Sequence, residues 1–86
     1  MKYKIVFTKQ AEKDLQKVAA SPLRKKVLHL LEVLEENPLQ LPYEKLVDQI
    51  STYSKRINLQ HRLVYRIDEE SRSVVIIRAW THYGDN

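Results

Sequence analysis

The stretch Tyr53-Ser54-Lys55-Arg56-Ile57-Asn58-Leu59-Gln60-His61-Arg62-Leu63-Val64-Tyr65 decides the fold of this chain. Polar and apolar residues alternate along it, as they do in half-buried strands that are joined by a short turn. No acidic residue lies between Asp48 and Asp68, and the basic or potentially basic residues are Lys55, Arg56, His61 and Arg62. We therefore predict a hairpin that presents a cationic strip suited to binding phosphate.

The length of the turn decides which of these side chains share a face of the sheet. An odd loop over residues 58–60 places Arg56 opposite Arg62, whereas an even loop splits the two arginines between the faces. We favour the odd loop, because it puts in the core the apolar residues Ile57, Leu63, Tyr65 and Ile67. The same register places Lys55 on the core-side face, which is tolerable only near a sheet edge where its amine reaches water.

Two helices are predicted ahead of the hairpin. Tyr3–Phe7 is a short β-rich run, and Thr8 is a suitable N-cap for the amphipathic helix that follows it. Ser21-Pro22 joins an N-cap residue to a proline that suits the first helical position, so a second helix is predicted to begin there. Asn37-Pro38 ends this helix, because the residue before a proline avoids the helical region. Two helices joined this closely form an αα-hairpin.

The second half of the chain is predicted to be mainly strand. A short strand can begin at Glu44, the hairpin strands run over about 52–57 and 61–67, and the last strand starts at Ser73 and continues to Tyr83. In that last strand, Val75, Ile77 and Ala79 are predicted to pack on the helices. The residues predicted for its open face are Ile76, Arg78, Trp80 and His82.

The order β-α-α-β-β-β(-β) predicts an α+β fold, in which the helical hairpin packs on one face of a small, mainly antiparallel sheet. The 86 residues make a single domain over 1–86. The net charge of +4 and the pI near 9.4 favour a nucleic acid or an acidic protein as partner.

Several classes of site are excluded by composition. The chain has no cysteine, which rules out disulfides and thiolate chemistry. His29, His61 and His82 are too widely spaced to predict a metal site. There is no apolar run of roughly 18 residues and no signal-peptide pattern at the N-terminus, so we expect a cytoplasmic protein without a membrane segment.

The predicted open face gathers Arg56, Arg62, Arg78 and His82. Like charges on neighbouring strands repel, which suggests that the cluster serves an anionic ligand. The alternative is that each arginine pairs with an acid elsewhere, such as Glu44 or the 68–70 turn.

With a carboxylate nearby, this cluster is sufficient for RNA cleavage by the ribose 2′-hydroxyl, which needs a base, cations at the phosphate and an acid at the leaving oxygen. Arg62 suits the phosphate because of its planar fork, and His82 suits the acid with an unperturbed pKa of about 6.5. Tyr83 can stack on a base or orient the phosphate. A terminal His-Tyr alone is more often an ordinary surface pair.

The motif Tyr53-Ser54-Lys55-Arg56-Ile57-Asn58-x-x-His61-Arg62-Leu63-Val64-Tyr65, with the closing His82-Tyr83, resembles the YoeB/Txe family of bacterial toxins in the RelE-like superfamily. The resemblance covers nearly the whole chain. It implies a RelE-like fold and a ribosome-dependent endoribonuclease that cuts mRNA without a metal or other cofactor. It also implies a homodimer and a YefM/Phd-type antitoxin, whose complex with the toxin contacts operator DNA mainly through the antitoxin.

The resemblance implies roles for individual residues. Glu44 would be the general base, Arg62 the phosphate ligand, His82 the general acid and Tyr83 a positioning residue. The further candidates for substrate binding are Arg56, Lys45, Lys55 and Arg78.

The chain departs from the family pattern in three places. Val47 stands where members often have a lysine, so that cationic contact is either missing or supplied by Lys45. The loop before Tyr53 lacks the common glycine, and residues 84–86 extend past the closing His-Tyr.

Two other functions remain open: a ParE-like gyrase inhibitor that acts by binding, and a non-catalytic basic sheet that binds RNA or an acidic peptide. The joint presence of Glu44, Arg62 and His82 counts against the gyrase inhibitor, and the basic binding sheet is distinguished by its tolerance of losing either His82 or Glu44.

Overall fold

A computed structural model of the protein describes residues 2–80. The predicted continuation of the last strand to Tyr83, the candidate residues His82 and Tyr83, and the 84–86 extension lie outside these residues. The elements in chain order are β1 (Lys4–Phe7), α1 (Lys9–Ala19), α2 (Arg24–Glu36), β2 (Glu44–Lys45), β3 (Thr52–Arg56), β4 (Arg62–Asp68) and β5 (Ser73–Arg78). This order confirms the predicted α+β fold.

The strands form one five-stranded sheet in the order β1-β5-β4-β3-β2. β1 runs parallel to β5, and every other neighbouring pair is antiparallel. The two helices pack on one face of the sheet, and neither is long and apolar enough to cross a membrane. The largest apolar side chains that are fully buried between the layers are Val27, Leu34, Leu63, Tyr65, Val74 and Ile76.

Thr8 caps α1 as predicted. Its backbone is extended, and its Oγ1 accepts a hydrogen bond from the Ala11 N–H at 3.0 Å. The same hydroxyl donates to the carbonyl of Ile77 at 3.1 Å. One side chain therefore satisfies a backbone donor in the first turn of the helix and ties that turn to β5.

The predicted start of α2 was wrong by two residues. The helix begins at Arg24, and its N-cap, Leu23, makes no side-chain capping bond. Ser21 instead serves the connecting turn, because its Oγ accepts from the Leu23 N–H at 3.1 Å and donates to the Val18 carbonyl at 2.8 Å. The predicted end is confirmed: the helix stops at Glu36, and Asn37 is extended.

The hairpin has the predicted odd register. Arg56 lies opposite Arg62 and Lys55 opposite Leu63. β3 ends one residue earlier and β4 begins one residue later than predicted, and Asn58 closes the turn between them. Its Oδ1 accepts hydrogen bonds from the backbone N–H groups of Gln60 and His61 at 2.8 and 2.7 Å.

The predicted faces of β5 were wrong in its first half. Val74 and Ile76 are fully buried, whereas Val75 and Ile77 are only half-buried. The register explains the difference: Tyr65 pairs with Ile76 but the adjacent Val64 pairs with Arg78, so Ile77 is an extra residue in a bulge. Each bulge of this kind reverses the alternation of faces. Beyond it, Ala79 is buried as predicted.

The connection between β2 and β3, which contains no glycine, carries backbone strain at two residues. Ser51 has a φ of 53° and Asp48 a φ of 67°, in the left-handed region that favours glycine.

We expect Ser51→Gly to raise the free energy of unfolding by about 0.5–1 kcal/mol, because relief of the Cβ clash exceeds the added entropy of the unfolded chain. Urea denaturation measures the change. Gln49→Gly, at a position without positive φ, is the control and should give no gain; equal effects of the two changes would contradict this account.

Candidate active site

Glu44 and Arg62 meet at the edge of the sheet. Arg62 Nη1 donates to Glu44 Oε1 at 2.6 Å. β2 places Glu44 in register with Ser54 of β3, and β4 brings Arg62 to the same end of that strand. The Arg62 side chain is 15% exposed and that of Glu44 58% exposed. The guanidinium is thus held largely out of water, while the carboxylate stays accessible. The contact also agrees with the alternative stated from the sequence, that the arginines of the cluster pair with acids such as Glu44.

Arg56 adds a second cation beside this pair. It lies directly opposite Arg62 across the hairpin and its side chain is exposed. Within residues 2–80 its guanidinium has no ion pair and no hydrogen bond. A carboxylate, a bonded guanidinium and an available guanidinium are therefore brought together at one point of the surface, which is suited to an anionic ligand.

Lys55 and Lys45 do not join this group. Lys55 is only 3% exposed, and its Nζ donates to the carbonyls of Gln40 and Pro42 at 2.6 and 2.9 Å. Its amine does not reach water as the sequence predicted, and burial lowers its pKa. Lys45 pairs with Tyr53, so strand alternation turns it away from the face that carries Glu44. Lys45 is therefore not placed to supply the cationic contact that is missing at position 47, where Val47 stands in place of a lysine.

Arg78 is bound to an acid other than Glu44 and the 68–70 turn, the partners predicted for the arginines. Its Nε donates to Oδ2 of Asp14 in α1 at 3.1 Å, and the Asp14 side chain is 1% exposed. Asp14 lies three residues after Ala11 and four before Val18, the buried positions of α1. An acidic residue on the apolar stripe of a helix was the available signal that it has a specific partner in the core.

Asp14 also holds the backbone at the end of β5. Its Oδ2 accepts from the N–H groups of Ala79 at 3.0 Å and Trp80 at 3.3 Å, and its Oδ1 accepts from Gln10 at 2.9 Å. Burial opposes ionisation of this carboxyl, but the hydrogen bonds from Ala79, Gln10, Arg78 and Trp80 outweigh it, so the pKa of Asp14 is lowered. The carboxylate thereby anchors the chain two residues before His82.

His61 has a different place from the one predicted. It belongs to the cationic strip in the sequence, but in the structure it is 6% exposed and stacks on Trp80 with ring centroids 4.1 Å apart. The hairpin turn is thus packed on the end of β5, the segment that leads to His82. In the described part of the chain, no group of three or more His, Asp or Glu side chains is placed to hold a metal ion.

Comparison with known proteins agrees with this architecture. The profile of the family described as "ParE toxin of type II toxin-antitoxin system, parDE" matches residues 5–84. The chain belongs to this toxin family. Toxin RelG of Mycobacterium tuberculosis is 35% identical to it over 78 residues, which are 91% of this chain and 88% of RelG.

Solved structures place this ParE-family toxin among the YoeB and RelE-like toxins. The YoeB/ParE toxin from Agrobacterium tumefaciens is 25% identical, with a TM-score of 0.83 over 93% of this chain and 99% of that one. The YoeB dimer from Staphylococcus aureus is 30% identical, with a TM-score of 0.82 over 96% and 100% of the two chains. The same YoeB also occurs in a complex with YefM. The predicted family resemblance is confirmed, and the protein is a toxin of a type II toxin–antitoxin system.

Proposed function

We propose that this toxin is a ribosome-dependent endoribonuclease that cleaves mRNA without a metal ion and so inhibits translation. The observation that carries the proposal is the Glu44–Arg62 contact at 2.6 Å, with the exposed Arg56 opposite Arg62 on the same face. A general base and a phosphate ligand must lie within one nucleotide of each other, and this arrangement satisfies that requirement.

The reaction needs only groups that the chain can supply. Glu44 takes the proton from a ribose 2′-hydroxyl, and the oxygen then attacks the adjacent phosphorus. Arg62 and Arg56 donate to the phosphate oxygens as negative charge develops on them. The bond from phosphorus to the 5′-oxygen breaks, and His82 donates a proton to that leaving oxygen, while Tyr83 positions the substrate. The products carry a 2′,3′-cyclic phosphate and a free 5′-hydroxyl.

The low exposure of Arg62 supports its role. A guanidinium that is held by Glu44 and largely removed from water needs little reorganisation when a phosphate arrives, and its hydrogen bonds are stronger there than in bulk solvent. When the phosphate binds Arg62, the Glu44 carboxylate is released from the ion pair and can accept the proton of the 2′-hydroxyl.

The proposed partners follow from the relatives. We infer a YefM/Phd-type antitoxin, because YoeB of Staphylococcus aureus occurs in complex with YefM, and a homodimer, because the same YoeB occurs as a dimer. Contact with operator DNA would come through the antitoxin. The substrate is mRNA on the ribosome, which places the toxin in the cytoplasm, and the net charge of +4 favours that contact.

A second candidate is inhibition of gyrase by binding alone. The family description that matches the chain is that of ParE toxins, and this observation favours it. A toxin of that kind needs no general base or acid. The two functions therefore differ in whether the effect depends on Glu44 and His82.

The deciding experiment is cleavage of an mRNA by the purified protein in EDTA, with and without ribosomes, beside His82→Ala. We expect cuts only with ribosomes, and a loss of about 10²–10⁴-fold in rate for the variant, because a positioned general acid contributes that much. Lys25→Ala, on the exposed surface of α2 and outside the candidate site, is the control in this assay and should still cut. Growth arrest without cleavage, and unchanged by His82→Ala, would support the gyrase candidate instead.

A further inference from the structure

A cleft of about 510 Å³ lies beside the Glu44–Arg62 pair. One wall is the exposed side of α2, and the other is the segment that leads into β2 together with the end of β3. Its volume is within the range of small-molecule sites in proteins. The residues that line it are Lys26, His29, Leu30, Val33, Gln40, Leu41, Pro42, Tyr43, Glu44, Ser54, Lys55, Arg56 and Arg62.

The lining combines an apolar floor with a cationic rim. Leu30, Val33 and Pro42 are apolar, and Tyr43 contributes an aromatic ring beside them. The exposed cations at the rim are Lys26 and Arg56, and Glu44 is the only acid among the described residues that line the cleft. This chemistry fits a ligand with a flat apolar body and a negative charge, which describes a nucleotide.

We propose that this cleft binds a nucleotide of single-stranded RNA next to the phosphate that contacts Arg62. The base lies on Leu30 and Val33, and the phosphate of that nucleotide is bound by Lys26 and His29 of α2. This inference rests on the proposed nuclease function. It extends the RNA contacts from the sheet residues to residues of α2.

Position favours RNA over an acidic peptide as the occupant. The cleft opens onto Glu44 and Arg62, so a strand with one phosphate on Arg62 has its neighbouring nucleotide at the mouth of the cleft. The ammonium of Lys55 is bonded to the Gln40 and Pro42 carbonyls, so it is not available to bind the phosphate of the ligand. The charge available to the ligand is therefore concentrated at the rim, where a phosphate is placed if the base lies on the floor.

Lys25 and Lys26 give a matched pair of variants. Both are exposed lysines of α2, but only Lys26 lines the cleft. Alanine at either position is compatible with a helix, so both variants should fold. The probe is a hexanucleotide with 2′-O-methyl riboses, which cannot be cleaved by the proposed reaction because it has no attacking hydroxyl.

We expect Lys26→Ala to weaken binding of this probe about five- to tenfold and to lower the slope of log affinity against log salt by about 0.7, the amount for one lost phosphate contact on a single strand. Lys25→Ala should change the affinity less than twofold. In nuclear magnetic resonance spectra of the wild-type protein, the probe should shift the methyl signals of Leu30 and Val33. Equal losses in the two variants, or unshifted methyl signals, would overturn the proposal. So would methyl shifts caused by a hexaglutamate peptide but not by the probe, since the cleft would then be a groove for protein.

The same variants separate this proposal from the nuclease function. In ribosome-dependent cleavage, Lys26→Ala should raise KM and leave kcat unchanged, because the contact is made equally in the ground and transition states. Probe binding in the cleft by a protein that cleaves nothing would retain the site and refute the nuclease. Normal cleavage by Lys26→Ala, with an unchanged KM, would refute the site and retain the nuclease.

Discussion

Arg62→Ala should lower ribosome-dependent mRNA cleavage at least about a hundredfold and abolish growth arrest on expression. Arg62 is the cation that Glu44 holds at 2.6 Å, and it is the proposed ligand of the phosphate on which charge develops. Loss of a single preorganised donor to such a charge costs about 10²–10³ in rate. Single-turnover cleavage on programmed ribosomes measures the effect on chemistry separately from that on binding.

The matched control for this prediction is Arg66→Ala. Arg66 is four residues further along β4, lies on the same face of the strand as Arg62 and is exposed. It lies opposite Thr52, away from Glu44. We expect this variant to retain cleavage within a few-fold of wild type. If Arg62→Ala and Arg66→Ala lose activity equally, the arginines contribute only general attraction for RNA, and the catalytic assignment of Arg62 is wrong.

Arg62→Ala is not expected to unfold the protein. Its partner Glu44 is 58% exposed, so the carboxylate is hydrated after the substitution and is not left as a buried, unpaired charge. Arg62→Lys is informative beside it, because it keeps the charge but loses the planar fork that binds two phosphate oxygens. A rate for Arg62→Lys that is close to that of Arg62→Ala would show that the geometry of the fork, and not the charge alone, is needed.

Asp14→Ala should lower the free energy of unfolding by about 3 kcal/mol or more. The carboxylate accepts hydrogen bonds from Gln10, Arg78, Ala79 and Trp80, and its loss leaves the buried N–H of Ala79 and the part-buried N–H of Trp80 without their acceptor. Each unsatisfied buried donor costs about 1–3 kcal/mol. Urea denaturation followed by the fluorescence of Trp80, the single tryptophan of the chain, measures the change at the site itself.

Glu12→Ala is the control for Asp14→Ala. Glu12 lies two residues earlier in α1 and is exposed, so we expect its substitution to change stability by less than about 0.5 kcal/mol. A loss of less than 1 kcal/mol in Asp14→Ala would show that water replaces the carboxylate, and that the end of β5 is not held by it.

Asp14 should also make stability depend on pH in acid solution. Its folded pKa is lower than that of the unfolded chain, so its ionisation favours the folded state. That contribution is fully present above the unfolded pKa of about 3.9 and is lost as the pH falls through the lower folded value. The difference in stability between wild type and Asp14→Asn should therefore shrink below about pH 4. A constant difference down to pH 2 would contradict the lowered pKa.

Sequence alone determined the hairpin and the identity of the central pair. Strand side chains alternate with a period of two, so an odd loop over residues 58–60 was enough to place Arg56 opposite Arg62. The caps and prolines located the helices, with the exception that Ser21 serves the turn and not α2. The motif around Arg62, together with Glu44 and the closing His-Tyr, was sufficient to indicate the toxin family that the comparisons confirmed.

Only the tertiary structure decided the faces of β5 and the partners of two cations. Residues 74–77 are all apolar and β-branched, so their order holds no alternation from which the bulge at Ile77 can be read. The bond from Arg78 to Asp14 joins residues 64 positions apart, and Lys55 is satisfied by backbone carbonyls. Local patterns report the period of a strand or helix, whereas a buried charge is satisfied by whichever donors and acceptors the packed chain brings to it.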